Sequence, residues 1–159
     1  MRFLIIILVA LAIGLALVLL AGRLLPATRE GRAQTTIAAT PDQVLAVVAD
    51  VAAQPDWRDI ASVTLTADGW IEQTPRGERI TFVAEEMTAT AIRLRFTSDA
   101  GYSGTWEAAL EPVAAGTQIS VVERATVPAP IGRLISRLLF DPAAFSATYL
   151  AQLKTRVES

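Results

Sequence analysis

At 159 residues, with 52% hydrophobic side chains and a formal net charge of −2, the chain suits a single domain. It contains neither cysteine nor histidine, which excludes disulfides, thiolate and imidazole metal sites, a cysteine nucleophile and a Ser-His-Asp triad. Charge is unevenly distributed: residues 1–32 carry a net +3 and residues 33–159 a net −5. An acidic domain without basic clusters in its sequence argues against a nucleic-acid partner.

The hydrophobic excess sits in Phe3–Gly22, which runs from Arg2 to Arg23 without a charge. As a helix this run is roughly 30 Å long, the thickness of a bilayer core, and a helix satisfies its own backbone groups in lipid. A signal peptide has a shorter apolar core, of about 7–15 residues, and then a small-x-small cleavage site; here Arg23 follows Ala21-Gly22 at once. A buried core helix carries a polar face, which this run lacks. The run reads as an uncleaved transmembrane anchor over residues 1–23 of a single-pass cell-membrane protein, with the lipid bilayer as its partner. Arg23, Arg29 and Arg32 follow the run and Arg2 precedes it, so the positive-inside rule leans toward a cytoplasmic domain. Residues 24–32, punctuated by Pro26 and Gly31, read as a juxtamembrane linker, and residues 33–159 as the domain.

Ala33–Ala39 is a short strand candidate around Thr35, Thr36 and Ile37. Thr40-Pro41-Asp42 then supplies a cap, a first-position proline and a first-turn acid for a helix bearing Val44, Leu45, Val47 and Val48. Val51–Pro55 reads as a second short helix or turn. From Ile60 the pattern alternates. Asp68-Gly69, Pro75-Arg76-Gly77 and Ala115-Gly116 mark turns, and Ile80/Phe82, Ile92/Leu94/Phe96, Trp106/Ala108/Leu110 and Ile119/Val121/Glu123 each share a face. This is an antiparallel meander with one face buried. After Pro130 the helical period returns: Ile131, Leu134, Ile135, Leu138 and Leu139 form a stripe that Phe145, Tyr149, Leu150, Leu153 and Val157 continue. Asp141-Pro142 predicts a kink or restart, with Asp141 as cap. The order strand, helix pair, six strands, long helix gives an α+β fold, a seven-stranded antiparallel sheet wrapped on the C-terminal helix.

Several segments resemble the START-like superfamily, in particular its polyketide cyclase/dehydrase and lipid-transport group (SRPBCC proteins). They are Thr40-Pro41-Asp42-Gln43-Val44, Pro55-Asp56-Trp57-Arg58, Gly69-Trp70-Ile71-Glu72, Gly104-Thr105-Trp106-Glu107 with Leu110-Glu111-Pro112 and Gly116-Thr117, and Pro130 to Arg137. The hairpin and last-helix segments are the more specific. The resemblance covers about residues 33–158 and implies a helix-grip fold that holds an apolar or amphipathic small molecule such as a lipid, quinone or polyketide. Some members are enzymes, but the group has no universal catalytic motif to carry over. No cofactor or metal is implied.

Glu123 is the most informative polar residue, since alternation turns it toward the same face as Ile119 and Val121. A carboxylate in an apolar pocket has a raised pKa and serves as a general acid or base; the competing reading leaves it near the strand end, paired with an arginine or in solvent. Glu72 shares a face with Trp70 and is the second candidate, against a reading as an exposed strand residue. Trp57, Trp70, Phe82, Phe96, Trp106, Leu138 and Tyr149 join Glu123 as expected lining of a ligand space between sheet and helix, against a reading as plain core packing. The expected ligand is mainly apolar and exchanges with the bilayer. The alternatives are a cyclase or dehydratase using Glu123 with Glu72, and an interaction domain whose interior is filled by its own side chains.

Overall fold

In the computed structural model, which describes residues 2–159, the chain begins with helix α1 (Arg2–Leu24), long and apolar enough to cross a membrane, with none of its apolar window buried by protein. Strand β1 (Thr28–Ile37), helix α2 (Pro41–Ala49) and a 3-10 turn (Val51–Asp56) follow. Six strands come next: β2 (Ser62–Leu65), β3 (Gly69–Gln73), β4 (Arg79–Met87), β5 (Ala91–Ser98), β6 (Ser103–Val113) and β7 (Gly116–Thr126). Helices α3 (Pro130–Leu139) and α4 (Pro142–Val157) complete the chain. The seven strands form one antiparallel sheet in the order β1-β7-β6-β5-β4-β3-β2, the helix-grip arrangement expected.

Local chemistry explains the punctuation. Thr40 closes a capping box with Gln43, its hydroxyl accepting from the Gln43 amide at 3.3 Å while Gln43 Oε1 accepts from the Thr40 amide at 2.9 Å. Asp141 accepts from the amides of Ala143 and Ala144 at 3.0 and 3.3 Å and so starts α4 afresh. Alternation sends Ile92, Leu94 and Phe96 of β5, Trp106, Ala108 and Leu110 of β6, and Ile119, Val121 and Glu123 of β7 to the inner face, where all are buried. Helix α4 lies across β1 and β7 with Tyr149, Leu150 and Leu153 buried, and α2 packs against α4.

The structure corrects two sequence readings. Strand β1 starts at Thr28, not near Ala33, and pairs with β7 along its whole length from Thr28↔Thr126 to Ile37↔Thr117. Half of the stretch read as a linker, residues 24–32, is therefore sheet. Its polar composition hides it from a hydrophobic pattern, while the Glu30 carboxylate bridges Arg32 and Arg124 at 2.6 and 2.8 Å. The second correction concerns the last helix. Phe140 and Asp141 are extended (φ −131°, ψ 127° and φ −112°, ψ 107°), so α3 ends and α4 starts as a separate helix. Helix α3 does not continue the stripe onto the sheet; it packs against α1.

Gly31 marks a close approach of helix to sheet. A Cβ there would lie 2.3 Å from the Pro142 carbonyl carbon, and backbone cannot give way as a flexible side chain can. Gly31→Ala is expected to cost about 1–3 kcal/mol by overpacking, read as a lower thermal midpoint with the strand signal in circular dichroism retained. An unchanged midpoint would contradict this contact.

Candidate functional site

The inner face between sheet and α4 is mostly apolar, and it holds two carboxylates. Glu72 lies two residues beyond Trp70 on β3, and Glu123 two beyond Val121 on β7; period-2 alternation turns both inward, and they are 2% and 5% exposed. Neither is the exposed or strand-end residue of the competing readings.

Glu72 has partners for its inward oxygen. Arg58 Nη1 donates to its Oε1 at 2.8 Å, and Trp70 Nε1 donates to the same oxygen at 3.2 Å. Arg58 also donates to Gln54 Oε1, and the Gln54 amide nitrogen donates to the Val48 carbonyl at 3.1 Å. The Arg58 guanidinium sits over the Tyr149 ring, 5.2 Å from its centroid. The 3-10 turn before Trp57 thus delivers a cation into the interior, tied on three sides.

Glu123 is not provided for. It faces Trp106 across β6 and Gly31 across β1, beneath the second turn of α4. Its Oε2 and the Ser146 hydroxyl are both buried without a hydrogen-bond partner. Burial pushes the Glu123 carboxyl up to about 7; the nearby Ser146 hydroxyl and the Arg58 charge oppose the rise. The two groups are close enough to interact, but neither oxygen reaches hydrogen-bond geometry with the other. A carboxyl that titrates near neutrality in an apolar enclosure can hold or release a proton there. The Tyr149 hydroxyl is held protonated: burial pushes it up to about 12, with Arg58 opposing and Glu72 assisting.

The expected aromatic lining falls into two sets. Trp57 and Trp106 both pack on Tyr149, with ring centroids 5.9 and 5.3 Å away. Trp70 stacks on Phe82 at 5.2 Å, and Phe82 meets Phe96 at 5.8 Å. The Arg58–Glu72 pair joins the sets through Tyr149 and Trp70. Trp57 and Phe82 are half-buried and border solvent; the others are buried. Leu138 is a correction: it lies on α3, 80% exposed, because the break at Phe140–Asp141 detaches α3 from the interior. Two open surface depressions, of about 250 Å³ around Arg79 and Asp99 and about 530 Å³ around Ala39 and Gly116, include none of these residues.

Arg58 and Ser146 were missed as site residues. Arg58 lies in the Pro55-to-Arg58 segment, and a single loop arginine gives no sign of its partner. Ser146 had a signal: residues 146, 149, 150 and 153 are the buried positions of α4 at helical spacing, whereas Phe145 is 46% exposed.

The model of one protein family, described as polyketide cyclase/dehydrase and lipid transport, matches residues 28–158. No curated protein matches the sequence. Similar solved structures include the Zhui aromatase/cyclase from Streptomyces sp. R1128, with TM-score 0.67 and 17% identity over 82% of this chain and 94% of that one. A protein from Chromobacterium violaceum has TM-score 0.61 and 19% identity over 84% and 99% of the two chains. A START superfamily protein from Mycobacterium smegmatis has TM-score 0.58 and 16% identity over 82% and 97%. At these identities the structures speak for the fold alone.

Glu123 ionises near 4.5 when unfolded and near 7 when folded. The folded chain retains the proton across that window, so the group's contribution falls as pH rises through it, by on the order of 3 kcal/mol in all. Glu123→Gln is expected to be more stable than the parent at about pH 8 and close to it at about pH 4, where the carboxyl is mostly neutral in both states. Parallel melting curves at every pH would contradict the burial argument. Arg58→Met strands Glu72 without its cation and is expected to cost about 3–5 kcal/mol. Combining it with Glu72→Gln should recover most of that loss in a chemical denaturation series.

Proposed function

Because the chain belongs to the polyketide cyclase/dehydrase and lipid-transport family, we propose that its folded domain is a binding module for an apolar or amphipathic small molecule, tethered to a membrane by α1. The observation that carries the reading is the pairing of an apolar, ring-lined interior with two buried polar groups that the protein leaves unpartnered, Glu123 Oε2 and Ser146 Oγ. Each such group carries a desolvation cost of about 1–3 kcal/mol. A ligand with one polar end and an apolar body supplies the missing partner and gains roughly 25 cal/mol for each Å² of apolar surface it buries.

The Trp106 ring stands opposite Glu123 on the neighbouring strand, with Tyr149 packed edge-on against it, so an occupant enters by displacing side chains. The half-buried Trp57 and Phe82 mark where the aromatic sets meet solvent. The length and uninterrupted apolar character of α1, with its apolar window uncovered by protein, support the tether. A membrane-resident ligand is then held at high local concentration. Acid–base catalysis of a cyclase or dehydratase kind is the second reading, favoured by the neutral-range carboxyl of Glu123; Glu72, neutralised by Arg58, is the poorer candidate for proton transfer.

Native mass spectrometry of the detergent-extracted full chain is expected to show a co-purified lipid, quinone or polyketide-like adduct, and Trp106→Ala to reduce its occupancy. A folded chain that carries no adduct and binds neither a fluorescent lipid nor a quinone analogue would falsify the reading. Loss of turnover in Glu123→Gln with binding retained would favour catalysis.

A further inference from the structure

Helix α3 is amphipathic, and its contact with α1 leaves most of its apolar face uncovered. Going round the helix, Ile131, Leu134, Ile135, Leu138 and Leu139 occupy one arc and Gly132, Arg133, Ser136 and Arg137 the other. In a soluble domain the first arc would face the core. Here no residue of α3 is buried, and Ile131, Ile135, Leu138 and Leu139 are 43%, 53%, 80% and 80% exposed. Phe145, just beyond the break, adds another exposed ring at 46%.

The position of α3 says what covers this face. Its first residue lies against the last turn of α1: a Cβ on Gly22 would stand 2.2 Å from the Pro130 carbonyl oxygen. Arg133 donates to the Leu25 carbonyl, at the exit of α1, at 3.3 Å. A spanning helix of this length ends at the membrane–water boundary, so α3 starts at that level and cannot lie far from it. Charge agrees with position. No acidic residue occurs between Arg124 and Asp141; Arg23 is in the last turn of α1, Arg133 reaches the Leu25 carbonyl, and Arg29 and Arg137 stand at the C-terminal end of α3. Arg29 Nη1 donates to the Ser136 and Phe140 carbonyls at 2.8 and 2.6 Å, closing the C-terminal end of α3. Residues 33–159 as a whole carry a net −5, so this stretch differs in sign from the rest of the domain. An amphipathic helix with this division of faces lies in the plane of the interface, apolar side toward the acyl chains.

We propose that α3 is a second membrane contact, lying in the interface with Ile131, Ile135, Leu138 and Leu139 inserted and its arginines at the headgroups; this rests on the reading of α1 as a membrane span. The contact fixes the orientation of the domain, which a three-residue connection from α1 to β1 alone would leave free to tilt.

The chain has no cysteine, so single cysteines can be placed at exposed positions without disturbing the fold: Leu8→Cys in α1, Leu138→Cys in α3 and Leu65→Cys in β2, at the opposite edge of the sheet from β1. Each full-length variant is labelled with an environment-sensitive fluorophore. Each is reconstituted in vesicles of phosphatidylcholine and phosphatidylglycerol containing acyl-chain spin-labelled lipid. The expected result is several-fold quenching at Leu8 and Leu138 and none at Leu65. Quenching at Leu8 with a Leu138 signal no lower than that at Leu65 overturns the contact and leaves the anchor standing. No quenching at Leu8 overturns the anchor, and the contact with it. A Leu138 label shielded from water but not quenched by lipid, with unlabelled Leu138→Cys chains forming disulfide-linked pairs, assigns the face to a second copy of the chain and overturns the proposal.

Discussion

The inner face of the sheet is apolar and must be covered, and α4 supplies most of the cover. The placement of α4 therefore governs the rest of the structure. It is set at its beginning: Asp141 caps it, Pro142 fixes its first backbone angle, and the Pro142 backbone rests where β1 has Gly31. From there Ser146, Tyr149, Leu150 and Leu153 descend along the sheet at helical spacing, all buried. At the far end Lys154 donates to the Thr36 carbonyl and Glu158 accepts from the Ala38 amide at 2.8 Å. Burial pins the middle and hydrogen bonds pin both ends.

This cover creates two carboxylates with opposite fates. Glu72 meets a guanidinium already held by Gln54 and stacked on Tyr149, so its charge is balanced at close range. Removing either partner leaves the other as an uncompensated buried charge, which is why such pairs are costly to break even where they add little net stability. Glu123 receives the same desolvation with only a distant share of the Arg58 charge and a serine that does not reach it. In a low-dielectric enclosure the cheaper state is the neutral acid. The contrast is one of geometry, since the two residues occupy equivalent inward positions on their strands.

The periodicities carried most of the fold. Alternation located six strands, the switch of period after Pro130 located the helices, and the caps at Thr40 and Asp141 were readable from residue type. Glu123 and Glu72 were readable as inward-facing for the same reason. What sequence could not supply was pairing across distance. Thr28–Arg32 become strand because β7 lies alongside, not because of any pattern of their own. Arg58 becomes a site residue because Glu72 and Tyr149 converge on it. The apolar stripe of α3 was read correctly as a stripe and assigned to the wrong neighbour. Amphipathicity tells that a face is to be buried and does not say in what, and the extended backbone at Phe140–Asp141 decided that the sheet was not the answer.

That same break brings the two ends of the structure together. The C-terminal end of α3 is held by Arg29 of β1, and Gly31, two residues on, receives Pro142 of α4. Opposite Gly31 on the neighbouring strand stands Glu123, with Ser146 one turn into α4 above it. Contacts that link the last turn of α1 with the surroundings of Glu123 thus include α3, a short piece of β1 and the first turns of α4. A helix is least secured over its first turn, where its amide groups depend on a cap rather than on its own ladder. The first turn of α4 depends on the Asp141 cap in this way, and it stands next to the end of α3 that Arg29 holds.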